Sequence, residues 1–217
     1  MSLAIFDLDN TLIRGDSDHS WGEFMCEKGI VDPQTYKRAN DQFYEDYKAG
    51  QLDMAAYVAF TLEPLSEIPV AERDSLHREF MQSKITPMLL PKACDLIDKH
   101  RQKGDTLMVI TATNRFITAP IVEHLGIPHL LATDPEVIDG KFTGNIAGTA
   151  CFQHGKVERL AQWCEIHQRD LDGSFFYSDS FNDLPLLEQV SYPYAVDPDK
   201  ILREHAQTHN WPIISLR

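Results

Sequence analysis

The sequence predicts an α/β protein, with a Rossmann-like parallel sheet as its core and an inserted helical cap. Short runs that are apolar on both faces alternate with amphipathic helical patterns, as in sheets whose parallel strands are buried on both sides. A helix-compatible stretch of about 70 residues follows the first run, although loops between a strand and a helix usually take only about two to six residues. We therefore predict a core domain of residues 1–14 and 86–217 and a cap domain of residues 15–85.

Apolar runs rich in β-branched and aromatic residues predict the strands of the core. Three are clear, and they cover residues 3–8 (LAIFDL), 106–113 (TLMVITAT) and 174–178 (SFFYS). Residues 192–196 and 212–216 are weaker candidates. A tight Asp-Gly turn within 137–142 (VIDGKF) predicts a β-hairpin.

Helices are predicted by their periodicity and by their end residues. Residues 91–103 begin with proline and are followed by Gly104, the usual punctuation of a helix. Residues 156–167 carry an apolar stripe with helical spacing. The other candidates in the core are 118–125, 183–189 and 199–209, and those in the cap are 21–28, 33–49, 53–62 and 70–84.

Composition narrows the choice of partners. The chain has 217 residues, 20 Lys and Arg against 33 Asp and Glu, and a net charge of −13. We therefore expect neither nucleic acid nor an anionic membrane as a partner, since both need a basic face. The four cysteines form no C-x-x-C pair, there is no apolar run of transmembrane length, and no basic leader precedes Asp7. We therefore expect a cytoplasmic protein. We expect it to be a monomer or a homodimer.

Acidic residues follow two of the predicted strands. Asp7 and Asp9 stand at i and i+2, on one side of an extended chain, and Asp179 and Asp183 follow residues 174–178. Ligands of parallel sheets bind beyond the carboxyl ends of the strands, and several carboxylates there favour a hard divalent cation such as Mg²⁺. The alternative is a solvated turn at the end of the first strand.

Two further groups could hold a phosphate. The hydroxyl of Thr111 and the N–H groups of Ala112 and Thr113 lie at the end of a predicted strand. Lys156 opens a helix, where a positive charge opposes the helix dipole. It is either a solvated surface lysine or a cation that faces the carboxylates and a bound phosphoryl group.

Taken in order, FDLDNTL, VITAT, Lys156 and YSDSFNDLPLL resemble the four motifs of the haloacid dehalogenase superfamily of phosphohydrolases. The helical insertion resembles the type-1 cap of the phosphoserine-phosphatase-like branch. The resemblance implies a Mg²⁺-dependent phosphomonoesterase that acts on a small phosphorylated metabolite through an aspartyl-phosphate intermediate. A phosphotransferase, a receiver domain and a non-catalytic phosphate-binding regulator are the rival interpretations.

The same resemblance implies a role for each motif residue. Asp7 attacks phosphorus, and Asp9 first protonates the leaving alcohol and then activates water. Mg²⁺ is held by Asp7, the backbone carbonyl of Asp9, and Asp179. The residues expected to hold the phosphoryl group are Thr111, Ala112, Thr113, Lys156 and Asn182, with Asp183 orienting Lys156 or a metal-bound water.

The cap should set the substrate. Asp16 occupies the position of the glutamate that binds the substrate amino group in phosphoserine phosphatases, although it could equally cap the first cap helix. An ungapped alignment places Ala59 where those enzymes have the arginine that binds the serine carboxylate. The aromatic residues of the cap belong either to the site or to the core of the cap. Trp21 is the first candidate for substrate contact. The resemblance thus favours histidinol phosphate, from amino-acid biosynthesis, over phosphoserine.

Overall fold

A computed structural model describes residues 2–66 and 68–217, and it contains a six-stranded parallel sheet. The strands are β1 (Leu3–Phe6), β2 (Thr106–Asn114), β3 (His129–Thr133), β6 (Phe175–Ser178), β7 (Tyr192–Val196) and β8 (Ile213–Ile214), in the order β3-β2-β1-β6-β7-β8. The predicted fold class, an α/β Rossmann-like sheet, is confirmed. Strand β3 is an addition, because the sequence analysis did not identify it.

Helices cover both faces of this sheet. They are α5 (Pro91–Lys103), α6 (Arg115–His124), α7 (His154–His167), α8 (Leu184–Leu187) and α9 (Lys200–Thr208). Successive residues of β1 enter different apolar clusters, with Phe6 in one and Ile5 in the other. Both faces of β1 are therefore buried, as its continuous apolar run predicts.

The position of β1 defines one edge of the sheet as the place for a ligand. Phe6 pairs with Val109 of β2 on one side and with Tyr177 of β6 on the other. The chain runs outward from β1 to β2 and β3, and then continues on the opposite side with β6. This reversal is a topological switch point, where ligands of open parallel sheets bind beyond the carboxyl ends of the strands.

The segment after β1 is helical. It contains α1 (Ser17–Glu27), α2 (Pro33–Lys48), α3 (Met54–Ser66) and α4 (Val70–Phe80), and a π-helical turn (Met81–Ile85) and a 3-10 turn (Thr86–Met88) lead from α4 toward α5. None of the described residues in 15–66 and 68–85 lies in a strand. The domain boundaries themselves stay a prediction.

A β-hairpin, β4 (Pro135–Ile138) and β5 (Lys141–Ile146), supports the cap from the core side. Its turn residues Asp139 and Gly140 have φ of 50° and 77°, the left-handed conformation that a two-residue hairpin turn requires. Strand β5 packs against α3, and the Arg73 guanidinium lies 4.8 Å from the centre of the Phe142 ring. Within the described ranges, no helix has the length and apolar character needed to cross a membrane.

Candidate active site

Asp7 and Lys156 form the centre of the site. Asp7 follows β1 directly, is only 3% exposed, and donates its backbone N–H to the Tyr177 carbonyl at 2.9 Å. Lys156 is 1% exposed, and its Nζ lies 2.8 Å from Asp7 Oδ1. The same Nζ lies 2.7 Å from Asp183 Oδ1, while the Ser178 hydroxyl donates to Asp183 Oδ2 at 2.7 Å. Lys156, the third motif, lies in the first turn of α7 and is therefore a buried cation between two carboxylates.

Thr11 brings Asp7 and Asp179 together. Its hydroxyl lies 3.4 Å from Asp7 Oδ2 and 3.1 Å from Asp179 Oδ1, and it accepts the Asp179 backbone N–H at 3.1 Å. The turn that places Thr11 here is closed by the Leu12 N–H donating to the Leu8 carbonyl at 2.9 Å. Two carboxylates that follow different strands thus converge on one hydroxyl.

Asp9 links the core to the cap. It accepts the Ser17 backbone N–H at 2.6 Å, at the start of α1, and the Thr113 hydroxyl at 3.0 Å, at the end of β2. Burial and the nearby Asp16 charge raise the pKa of Asp9 to about 7. A carboxyl group with this pKa can both give and take a proton near neutral pH, as general acid–base catalysis needs.

The charges at the sheet edge do not balance. Burial raises the pKa of Asp7 to about 7, and burial together with the Asp7 charge raises that of Asp179 well above its usual range. Burial alone would lower the pKa of Lys156, but the charges of Asp183 and Asp7 outweigh it and raise the pKa. Lys156 pairs with Asp7 and Asp183, and no ion pair among the described residues includes Asp179. An excess of buried carboxylates over cations calls for a further cation.

The end of β2 supplies the expected phosphate-binding groups. Thr111 is buried, and its hydroxyl accepts the Thr113 N–H at 3.2 Å. Thr111, Ala112 and Thr113 all line the cavity that contains Asp7. The structure therefore brings these residues to the same place as the acidic cluster, as their positions after a predicted strand suggested.

The cavity above the sheet edge is lined by both the core and the cap. The cap contributes Asp16, Asp18, His19, Asn40, Phe43, Tyr44, Tyr47, Leu52 and Tyr57. No lysine or arginine is among the described residues that line it. The cap side of the cavity is therefore acidic and aromatic.

The position of Asp16 is compatible with both interpretations of the sequence. It lines the cavity and also caps α1, because its carboxylate accepts the His19 backbone N–H at 2.8 Å. His19 lines the cavity too, with its Nε2 at 2.8 Å from Asp41 Oδ1.

Trp21 is not at the site, so the prediction that it contacts substrate is wrong. Its side chain is 0% exposed and packs against the rings of Phe80, His77 and Phe116, at centroid distances of 4.9, 5.5 and 5.5 Å. The helical spacing places Trp21 on an apolar face of α1. In the structure, this face packs in the interior between the cap and α6. Ala59 does not line the cavity either: it is exposed and lies beside Gly144 of the hairpin.

Asn182 makes contacts other than the predicted phosphate contact. Its side-chain amide donates to the Tyr47 carbonyl at 2.9 Å, and its Oδ1 accepts from Gln153 Nε2 at 3.0 Å. Gln153 Nε2 also donates to the Gly50 carbonyl at 3.2 Å. Both the nitrogen and the oxygen of the Asn182 amide thus take part in hydrogen bonds that link the core to the end of α2.

Several site residues escaped the sequence analysis. Thr11 was part of the first motif but received no role, and Asp18 received none either. Tyr57 is an aromatic residue of the cap, but helical spacing alone did not show that it, rather than Trp21, faces the cavity. The clue available for Asp18 was its position in the first turn of the first cap helix, two residues after Asp16.

Comparisons with known proteins agree with this geometry. A family model described as haloacid dehalogenase-like hydrolase matches residues 4–188. The chain is 42% identical over 220 residues to a histidinol-phosphatase from Neisseria meningitidis serogroup C (strain 8013), covering 100% of this chain and 99% of that one. A crystal structure of a protein with unknown function from Bordetella pertussis Tohama I is 43% identical, with a TM-score of 0.93 and coverage of 100% and 99% of the two chains.

A substrate-bound phosphoserine phosphatase complex shares the fold. It aligns with a TM-score of 0.72 at 18% identity, over 100% of this chain and 93% of that one. The resemblance that the motifs indicated is confirmed, and the chain belongs to the haloacid dehalogenase-like hydrolases.

Proposed function

We propose that this chain is a Mg²⁺-dependent phosphomonoesterase whose substrate is histidinol phosphate. The observation that carries the proposal is the cavity, which joins the Asp7–Lys156 centre to an acidic and aromatic cap surface without lysine or arginine among its described lining. The enzyme class that the sequence predicts, a phosphoric monoester hydrolase, is confirmed by the family match and by the relative named histidinol-phosphatase.

In the proposed first step, a carboxylate oxygen of Asp7 attacks phosphorus, and the P–O bond to the leaving alcohol breaks. This leaves a phosphoryl group on Asp7, the expected aspartyl-phosphate intermediate. Lys156, 2.8 Å from Asp7 Oδ1, offsets part of the negative charge of the nucleophile and of the phosphoryl oxygens. Asp183 holds the lysine in place from its other side.

Asp9 moves the protons. It gives a proton to the oxygen of the leaving alcohol and later accepts one from the water that attacks the phosphoryl group. The hydrogen bonds from Ser17 and Thr113 fix the position of its carboxylate, and its pKa of about 7 suits both directions of transfer.

The donor set fits Mg²⁺. Among residues 2–66 and 68–217 no three His, Cys, Asp or Glu side chains form a complete metal cage. Mg²⁺ needs none, because it commonly takes one or two carboxylates and keeps several waters. Asp7 and Asp179, which share the Thr11 hydroxyl, would supply the two carboxylates, with the Asp9 carbonyl as the third protein ligand. When bound there, the metal would neutralise charge on the nucleophile and the phosphoryl group.

The cap side of the cavity favours histidinol phosphate over phosphoserine. Histidinol phosphate carries an ammonium and an imidazole and no carboxylate, which suits acidic residues and aromatic rings. Phosphoserine would bring a carboxylate into a cavity that already holds Asp16 and Asp18 and whose described lining offers it neither lysine nor arginine. An unpaired carboxylate in such a place is costly to bury.

The test compares the two substrates. With Mg²⁺ present, we expect kcat/KM for histidinol phosphate to exceed that for phosphoserine at least tenfold, by about 1.4 kcal/mol or more. EDTA and the Asp7→Asn substitution should each abolish turnover. Preference for phosphoserine would reject the substrate, and full activity of Asp7→Asn would reject the mechanism. Product analysis with excess acceptor alcohol separates a hydrolase from a phosphotransferase.

A further inference from the structure

Asp18 differs from the other acidic residues of the cavity because one of its oxygens is free. Its side chain is 8% exposed and lines the cavity, yet Oδ1 has no hydrogen-bond partner. By contrast, Asp16 accepts the His19 N–H at the start of α1, and Asp9 accepts from Ser17 and Thr113. A buried carboxylate oxygen without a donor is a position that a ligand can satisfy.

Among the described residues that line the cavity, no cation accounts for the Asp18 charge. This lining contains neither lysine nor arginine, and the Nε2 of its histidine, His19, lies 2.8 Å from Asp41 Oδ1. The groups that interact with Asp18 are Tyr57 and the negative charges of Asp16 and Asp9. The surroundings therefore leave the carboxylate uncompensated until a positive ligand arrives.

Aromatic rings complete the surroundings of this carboxylate. Tyr57 lines the cavity, and the centre of the Phe43 ring lies 5.9 Å from that of Tyr57 at a steep angle. A carboxylate beside aromatic faces binds an ammonium or an imidazolium well, because the ion pair and the cation–π attraction add.

We propose that Asp18 is the specificity-determining residue for this site, and that it binds the cationic nitrogen of the substrate. This inference rests on the proposed phosphomonoesterase function and extends it from the reacting phosphate to the other end of the substrate. Asp16, which occupies the position expected from the sequence, is engaged as a helix cap. Asp18 offers the open acceptor.

The isosteric variant Asp18→Asn tests this assignment. Two substrates are compared, histidinol phosphate, which is cationic, and p-nitrophenyl phosphate, which carries no positive group. We expect the ratio of their kcat/KM values to fall about 30-fold or more, mainly through KM for histidinol phosphate, as for the loss of one partner of a buried ion pair. Asp74→Asn, an exposed carboxylate on α4, is the matched control and should leave the ratio unchanged.

A second measurement needs no turnover. Calorimetry with histidinol, the alcohol without phosphate, should give a Kd at least tenfold weaker for Asp18→Asn than for the wild type. The variant should fold, since it removes an uncompensated buried charge, and its Tm verifies this; Asp18→Ser serves if it does not. Unchanged histidinol binding, or an equal loss for both phosphate esters, would overturn the inference.

The test of Asp18 does not depend on whether histidinol phosphate is the preferred substrate. If the wild type prefers phosphoserine, the proposed substrate is wrong, but phosphoserine also carries an ammonium group. Asp18→Asn should then lower kcat/KM for phosphoserine relative to p-nitrophenyl phosphate by a similar factor. If that ratio does not change, Asp18 does not bind the cation of either substrate.

Discussion

Lys156 shows how a single residue can serve chemistry and stability at once. The sequence placed this lysine at the start of a helix, either solvated at the surface or facing the carboxylates. The structure buries the side chain to 1% exposure and sets its Nζ within 2.8 Å of Asp7 and 2.7 Å of Asp183. Removing the cation would therefore leave two buried carboxylates facing each other without compensation.

We predict that Lys156→Met lowers the free energy of unfolding by about 3–5 kcal/mol, the usual cost of breaking a buried ion pair from one side. Activity should be lost as well, because the phosphoryl charge is no longer offset. Urea unfolding in EDTA measures the first effect. Lys99→Met, at an exposed position of α5, is the control and should change stability little. Equal unfolding free energies for the two variants would contradict the prediction. Adding Asp183→Asn to Lys156→Met should restore part of the loss.

The residues at the sheet edge were predictable because a strand fixes their position. A side chain that follows a buried parallel strand has to lie at the carboxyl edge, so Asp7, Thr111 and Asp179 could be grouped before any coordinates were known. Trp21 and Tyr57 could not be told apart in this way. Helical spacing shows that a residue lies on an apolar face, but not whether that face meets the core or a cavity.

At the scale of elements, the start of α7 requires a close contact between Gly155 and the backbone of Ala150. A Cβ added to this residue would lie 1.9 Å from the Ala150 carbonyl oxygen, so that any larger residue must move the start of the helix. Lys156 is the next residue, and its position relative to Asp7 depends on this contact.

We predict that Gly155→Ala destabilises the protein by about 1–3 kcal/mol, as overpacking does, and lowers kcat more than tenfold because Lys156 is displaced. Gly104→Ala is the control. Gly104 has φ of 76° and open space around its Cα, so its substitution should cost only about 1 kcal/mol from backbone strain and leave kcat unchanged. Urea unfolding and steady-state kinetics of both variants provide the measurement. Wild-type kcat in Gly155→Ala would show that the helix start tolerates the shift.

A hydrogen-bonded bridge joins the core to the end of α2. Gln153 donates to the Gly50 carbonyl and to Asn182, and Asn182 donates to the Tyr47 carbonyl. Gln153 itself has φ of 48°, an uncommon backbone conformation for a residue other than glycine. The bridge links the cap to the core at a place separate from the hairpin contact with α3.

We predict that Gln153→Ala loosens this side of the cap. Backbone amides of residues 46–50 should exchange with solvent faster, and KM should rise severalfold with a smaller change in kcat, because the closed cavity is less populated. Gln34→Ala, at an exposed position of α2, should alter neither. Hydrogen exchange followed by mass spectrometry resolves the segment. Unaltered exchange in residues 46–50 would show that the hairpin side alone holds the cap.

Element boundaries were harder to predict than element order. The helix expected at 118–125 begins at Arg115, because the Asn114 side chain caps it by accepting the Ile117 N–H at 3.2 Å. Strand β3 was missed because HLLAT contains only a short apolar run and is defined as a strand by its pairing with β2. Both cases reflect tertiary pairing and capping, which short windows of sequence do not reveal.

At the scale of the whole molecule, a negatively charged chain has to bind a proposed anionic substrate, so the repulsion has to be compensated by charges close to the site. A net charge of −13 gives no long-range attraction for a phosphate ester. At the sheet edge, three carboxylates outnumber one lysine, which adds negative charge. The proposed Mg²⁺ would compensate this charge there. Metal binding should therefore affect the stability of the folded chain, and it should do so in a pH-dependent way.

Burial raises the pKa of Asp7 and of Asp9 from the usual 3.8 to about 7 in the metal-free protein. Because the folded form holds these protons more tightly than the unfolded form, their contribution to stability is complete below about pH 4 and is lost as the pH rises through about 7. Mg²⁺ binds the ionised carboxylates, so its own stabilising effect must grow over the same range.

We therefore predict that Mg²⁺ at 100 times its Kd adds about 2.7 kcal/mol of stability at pH 8, or about 5–11 °C in Tm, and clearly less at pH 6, where competing protons weaken binding at the same metal concentration. Thermal unfolding with Mg²⁺ and with EDTA at both pH values gives the difference. The double variant Asp7→Asn with Asp179→Asn is the control, since it removes both proposed carboxylate ligands and should abolish the shift. An equal shift at pH 6 and pH 8, or a full shift in the double variant, would mean that the metal binds elsewhere. The charge imbalance at the sheet edge would then need a different cation.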